Sequence, residues 1–379
     1  MSTASASRGA YLEAVARIID EVVAPCAPGI DQSSVFPRAA VEALGRAGLL
    51  GLISARDVGG IGEGHRAATM VVEALAQACG STAMVVCMHY AAAAVIEAHG
   101  PRAVREAIAA GRHLTTLAFS EVGSRSQFWA PLSSAIADGK QVRLDASKSW
   151  VTSAGEADSY VWSSQPVSPT GASTLWLVRR DAPGLSIPAP FNGLGLRGNA
   201  SSPITAKGVL VDVADRLGPD GGGFDIMMGI VLPWFQHMNA GFALGTMEAA
   251  TAKAAAHASA TRLEHLGQTL AEQPLTRAHV ARMRIKTDMV RGLLLDALAA
   301  LESGRADTML RVLEVKAAAG EAATEVTDLA MRVCGGAAFR KEVGVERHFR
   351  DARAATVMAP TTDALYDFIG KAVCGLPLF

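Results

Sequence analysis

The chain has 379 residues, half of them apolar, with few aromatics and a formal net charge of −1. That length holds two or three units of core, and the scattered lysines and arginines leave no basic face for nucleic acid. The five cysteines are never spaced CxxC and the nine histidines are dispersed, so they carry no metal-site pattern and read as the reduced, mostly buried thiols and side chains of a cytoplasmic protein.

At the N-terminus, MSTASASRGAYLEAV lacks the apolar core of a signal peptide, and no apolar run reaches the ~18–20 residues of a membrane span. Residues 1–113 are expected to form a helical domain. YLEAVARIIDEVV puts Leu12, Val15, Ile18, Ile19 and Val22 on one face, and RAAVEALGRAGLL repeats that period. The stretch from Ala67 to Gly100 is so apolar that its helices must be buried nearly all round, with Gly80-Ser81-Thr82 ending one and capping the next. From Leu114 to about Gly223, short β-rich runs broken by Gly, Ser, Pro and Asp predict a middle domain, 114–223, built as a small antiparallel barrel or sandwich. Helical texture returns from Phe224, predicting a C-terminal four-helix bundle over 224–379. The class is α+β, and no internal repeat is visible.

Several stretches carry chemistry. LAFSEVGSRSQF (117–128) presents the small hydroxyls of Ser120 and Ser126 in a turn, donors short enough for a ring edge or a phosphate, although an ordinary Ser-rich turn has the same composition. KSWVTSAGEAD (148–158) pairs an aromatic, Trp150, with a donor, Thr152; the plain alternative is a strand tryptophan filling the core. LGLRGNASSPI (194–204) and GPDGGGFDIMM (218–228) are loop signals with no Walker or Rossmann surroundings. RVCGGAAF (332–339) sets Arg332 before Gly335 and Gly336, and RHFRDAR (347–353) is an ion-pair cluster in the making. In VMAPTTDAL (357–365), Thr361 can cap the helix it opens, with Asp363 as a first-turn acid.

In this order, and over essentially the whole chain, these motifs resemble those of the acyl-CoA dehydrogenase superfamily. The resemblance implies a flavin oxidoreductase holding FAD, with FMN as the alternative. It places Ser120 at the ring edge, Ser126 at the pyrophosphate, Trp150 against the ring and Thr152 near its reactive nitrogen. It sets Arg332, Gly335 and Gly336 on the pyrophosphate and adenosine half, and Thr361 and Asp363 beside the cofactor. TRLEHLGQTLAEQ (261–273) resembles a family segment whose arginine, here Arg262, reaches the FAD of a neighbouring subunit. A homo-oligomer, dimer or tetramer, is implied, with a small-molecule substrate that includes acyl-CoA and with no nucleic-acid or membrane partner.

The family's catalytic glutamate takes an α-proton while hydride leaves the β-carbon. Here that position is Ala359, followed by Pro360. The position used by other branches is Phe235, and the arginine after it is Gln236. His89, in an apolar helix that borders the family's substrate pocket, is the candidate catalytic residue; a satisfied core histidine is the plain alternative. The resemblance leaves three readings: an acyl-thioester dehydrogenase with a non-standard base, a monooxygenase of the same fold using reduced flavin and oxygen, and a non-catalytic subunit.

Overall fold

A computed structural model describes residues 3–124, 127–168 and 170–378. At the N-terminus, α1 (Thr3–Ile18) passes through a π-helical turn into α2 (Ala24–Ser33), followed by α3 (Arg38–Arg46), α4 (His65–Ala78), α5 (Gly80–His99) and α6 (Arg102–Ala109). Every residue of α5 from Gly80 to Ile96 is buried. Contrary to the sequence expectation, this 20-residue helix is apolar and long enough to cross a membrane, with a mean hydropathy of 1.4, but 89% of the stretch lies buried inside the protein. It is the central core helix.

Two of the polar side chains of α5 bond to backbone from elsewhere in the chain, Ser81 accepting from Gly198 N at 3.1 Å. His89 is fully buried; its Nε2 donates to Leu50 O at 2.9 Å and its Nδ1 accepts from Thr115 N at 3.2 Å. The expected catalytic role of His89 is therefore corrected: with no surface and both ring nitrogens bonded to backbone, it is a core fastener. The α4–α5 joint lies at Cys79, and no side chain caps it. Gly80 serves close approach instead, since a Cβ there would stand 2.6 Å from the Asp351 carboxylate.

The middle of the chain forms β1 (Thr115–Ala118), β2 (Ser134–Asp138), β3 (Gln141–Val151), β4 (Ser159–Ser164), β5 (Thr174–Arg179), β6 (Leu185–Ser186) and β7 (Ser202–Asp212). They make two sheets, β1-β4-β5 and β2-β3-β7-β6. The expected all-antiparallel arrangement is corrected at one edge, where β1 pairs with β4 in parallel. A parallel pair needs a long crossover, and the β2–β3 hairpin supplies it by visiting the other sheet. All six residues of β4 are buried, because α5 packs on this sheet from outside.

A charge lies in this interior. The Lys148 side chain, on β3, has no exposed surface. Its Nζ donates to Glu121 Oε1 at 2.5 Å, Ser163 O at 2.7 Å and Ser163 Oγ at 2.9 Å, and it sits 5.2 Å from the Trp162 ring centroid. Glu121 Oε2 accepts from Leu132 N at 2.6 Å and Ser133 N at 3.0 Å. Burial pulls the Lys148 ammonium down to about 8 while Glu121 pulls it up, so it stays charged at neutral pH.

The remainder is helical. A short α7 (Gly223–Ile226) leads through a π-helical turn to α8 (Leu232–Ala260). The hairpin β8 (Arg262–Leu263) and β9 (Gln268–Thr269) follows, then α9 (Pro274–Ser303), α10 (Thr308–Cys334), α11 (Val345–Val357) and α12 (Thr362–Val373). Gly304, at φ +64°, ends α9 and turns the chain into α10. The helices α8, α9, α10 and α11 pack together, α12 lies on α10, and α4 lies along α8. Gly245 is required at that last contact, as a Cβ there would fall 2.2 Å from Glu73 O.

Two measurements probe this interior. Lys148→Met leaves the Glu121 carboxylate buried without its cation, which costs about 3–5 kcal/mol; the double variant Lys148→Met, Glu121→Gln should recover part of the loss in urea unfolding. A loss within about 1 kcal/mol for the single variant would show that the pair is not desolvated. The second is pH. Burial holds His65 at about 3 and His89 at about 4, and also lowers His237 and His348. Below the ordinary value of about 6.5 the unfolded chain then binds more protons than the folded one. Stability is thus complete above pH ~6.5 and falls on acidification by up to ~1.4 kcal/mol per pH unit for each such histidine. Asp351, raised to about 6 by burial, opposes this over part of the range. Urea midpoints should decline from pH ~7 to ~5; a flat or rising midpoint contradicts the account.

Candidate functional site

The end of β3 is irregular. Lys148 pairs with Ile204 and Val151 with Ser202, so one extra residue bulges between them. Trp150 occupies the bulge at φ +57° and is 71% exposed. A bulky residue in left-handed backbone costs roughly 1–2 kcal/mol, and its exposed indole recovers little of that by burial. Among the described residues five non-glycines have positive φ, and four of them, Trp150, Ser153, Leu196 and Ala200, lie in this segment and the loop beside it. Backbone strain gathered in one place marks a functional region.

The strained segments hold each other. Ser153 N donates to Asn199 O at 2.9 Å and Ala154 N to Ala200 O at 3.1 Å. Thr152 is buried, its hydroxyl 3.1 Å from that of Ser201. Asp351 of α11 anchors the second loop by accepting from Leu196 N at 2.6 Å. Beside it Arg350 grips both oxygens of Asp31, at 2.9 and 2.6 Å, and Glu346 at 2.6 Å. RHFRDAR is therefore the ion-pair cluster expected from its sequence, and it braces the loop under Trp150.

The other sequence-predicted residues lie at several places in the fold. Ser120 lies beside Trp150: its carbonyl accepts from Ser149 N at 2.8 Å, and Glu121 bridges to Lys148. Ser126 falls outside the described residues. Arg262 is exposed in the β8–β9 hairpin, donating to Gly267 O at 3.2 Å. Arg332 ends α10 with its side chain exposed, and Gly335 follows at φ +55°, where a Cβ on it or on Gly336 would meet nothing within 4 Å. Thr361 caps α12 by accepting from Ala364 N at 3.4 Å, and Asp363 is exposed in its first turn.

Around the 358–360 turn the structure adds residues that the motifs do not contain. Lys316, fully buried on α10, donates to Met358 O at 3.0 Å and Pro360 O at 2.7 Å. Burial alone pushes its ammonium down to about 7. An apolar cleft opens beside the turn, walled by Trp129, Met228, Leu232, Leu313, Pro360 and Phe368 among others. On α8, Gln236 and Asn239 are fully buried; neither side-chain polar atom of Gln236 and not the Oδ1 of Asn239 meets a hydrogen-bond partner among the described residues. Unpaired buried amides cost about 1–3 kcal/mol each. The sequence signal for these three was a polar residue on an otherwise apolar helix face, as in VLEVKAAAG and WFQHMNAGF.

Models of the N-terminal, middle and C-terminal domains of acyl-CoA dehydrogenase match residues 5–111, 116–209 and 221–374. The chain is 27% identical over 343 residues to probable acyl-CoA dehydrogenase YngJ of Bacillus subtilis, covering 87% of this chain and 88% of that one. Its fold superimposes on butyryl-CoA dehydrogenase from Megasphaera elsdenii with a TM-score of 0.91, at 21% identity over 99% of each chain. It also superimposes on the FAD complex of PigA with a TM-score of 0.89, at 18% identity over 99% of this chain and 98% of that one. With three domain matches following one another along a fold of helices, sheets and helices, the chain belongs to the acyl-CoA dehydrogenase family of flavoprotein oxidoreductases.

Proposed function

We propose that the protein binds FAD against Trp150 and oxidises a small acyl compound, an acyl thioester or a close relative, in the cleft beside the 358–360 turn. The observation that carries this reading is Trp150, a large aromatic held in strained backbone with its ring uncovered. A planar ring system fits that face, and the open backbone at Gly335–Gly336, next to the exposed Arg332, suits the adenosine and pyrophosphate part that distinguishes FAD from FMN. Bound FAD supplies the acceptor for two electrons as hydride.

The chain's own groups then position and shield. Trp150 orients the ring, the Lys148–Glu121 pair fixes both segments that flank it, and the apolar cleft excludes water from the reacting carbons. Lys316 sets the turn by binding the carbonyls on either side of Ala359. Neither Ala359 nor Phe235 can accept a proton, and the nitrogens of His89 are committed to backbone. The walls of the cleft carry no carboxylate among the described residues, which favours a second reading in which reduced flavin and oxygen act on the substrate without an α-proton base.

Assembly follows from exposed apolar surface. Ile285 and Met289, 58% and 68% exposed, are one turn apart on α9, with Leu275 and Leu295 exposed on the same helix. Such a stripe supports association with a second copy of the chain.

The purified protein should carry, or take up, FAD and turn yellow. Trp150→Gly relieves the left-handed strain, so the apoprotein should be at least as stable, while FAD affinity falls about tenfold or more; unchanged affinity removes Trp150 from the cofactor site. Anaerobic bleaching of the flavin by acyl thioesters supports the dehydrogenase reading. Bleaching only by an external reductant, followed by substrate-dependent oxygen uptake, supports the second. In light scattering the protein should be a dimer or larger, and Met289→Glu should shift it toward monomer; a monomeric unmodified protein at micromolar concentration contradicts the assembly.

A further inference from the structure

The cleft beside the 358–360 turn is lined by apolar side chains, and one of them stands apart from the rest. Leu232 belongs to α8, Leu313 to α10 and Phe368 to α12, while Trp129 packs on Phe368 with ring centroids 5.7 Å apart. Packed helices and rings fix these walls. Leu378 lines the same cleft, but it comes from the segment that follows α12.

That segment turns back through a local closure. Leu376 N donates to Lys371 O at 2.9 Å and Gly375 N to Ala372 O at 3.3 Å, with Gly375 at φ +71°. This paired closure of a helix end needs a left-handed residue, which glycine supplies without strain. Beyond it the attachment is slight. Residues 373–377 are exposed, and Leu378 is half-buried. Among the described residues the one hydrogen bond that holds Leu378 runs from Lys371 Nζ to its carbonyl at 3.5 Å, and Lys371 also pairs with Asp367 at 3.0 Å. Exposed backbone with few buried contacts belongs to the part of a fold that opens most readily.

Size decides the consequence. With Leu378 in place the cleft holds about 50 Å³, whereas pockets that bury small ligands hold roughly 300–1,000 Å³. An acyl body enters only when a wall moves, and Leu378 is the wall with the weakest hold.

We propose that the segment after α12 is a lid and Leu378 its plug: the leucine side chain occupies the place that the apolar part of a ligand takes, and swings out at Gly375 to admit it. Lys371 then gives up a carbonyl but keeps Asp367, so opening strands no charge. The ligand covers again the apolar surface that Leu378 uncovers, so opening and binding are one exchange of apolar contact. The inference deepens the proposed function by adding how its site is entered. It rests on that reading only for the role of the cleft, because binding is measured here without turnover or flavin reduction.

The test is calorimetric titration of the purified protein with 1-hexanol as an apolar probe. Removing the plug removes a competitor. Leu378→Ala and, separately, a chain shortened to end at Gly375 should therefore each bind hexanol about fivefold or more tightly than the unmodified protein. Leu376→Ala, on the same segment but outside the cleft, should leave the affinity unchanged, and all three should keep the melting temperature. A fixed wall gives the opposite sign, so equal or weaker hexanol binding by Leu378→Ala and by the shortened chain overturns the proposal. So does a shortened chain that binds no hexanol, or an equal gain in Leu376→Ala. A marked drop in melting temperature for both Leu378→Ala and the shortened chain also overturns it, because a segment whose loss loosens the fold is no lid. Tighter hexanol binding in a protein whose flavin no acyl compound reduces keeps the lid and loses the dehydrogenase reading, so the two fail separately.

Discussion

Much of the site depends on one buried ion pair. Lys148 and Glu121 meet at 2.5 Å in the interior of the middle domain, where neither charge could stand alone. Lys148 spends its other donors on Ser163 of β4, and Glu121 spends its second oxygen on the backbone of Leu132 and Ser133. Four segments are thereby locked together: the end of β1, the loop before β2, the end of β3 and β4. Two residues past Lys148 comes the bulge that turns Trp150 outward. A strained residue holds its conformation only where its surroundings over-determine it, and the ion pair is the nearest such determinant.

The strain is braced from the other side by charge as well. Asp351 reaches from α11 to the Leu196 amide, close enough to α5 that only glycine is tolerated at position 80. Arg350 beside it joins Asp31 of α2 to Glu346. Helices from both ends of the chain thus converge under a loop of the middle domain. The three parts do not merely abut; the N-terminal and C-terminal helices hold the backbone on which Trp150 stands. Burial raises Asp351 toward about 6, so this brace is an acid kept in place by a single strong backbone bond and the nearby arginines.

At the 358–360 turn a different economy applies. Among the described residues no carboxylate lines the cleft there, and the turn is held from beneath by a buried amine that binds two carbonyls. Around it the walls of the cleft are apolar.

The sequence by itself determined the succession of helices, strands and helices, because periodicity and turn chemistry are local properties. It also determined that Thr361 would cap a helix and that RHFRDAR would form ion pairs, since a cap lies within a turn and clustered charges seek partners. It brought forward Trp150 and Ser120 as neighbours only through resemblance, and the backbone bond between Ser149 and Ser120 joins them. Other features were decided by tertiary structure alone. His89 lies 39 residues from Leu50, the carbonyl that binds it, and Lys316 lies 42 and 44 residues from its carbonyls. The parallel β1–β4 pair depends on where the β2–β3 hairpin crosses over. Such partners are brought together by packing, and a buried polar side chain reads the same in sequence whether its partner is backbone, a charge or a ligand.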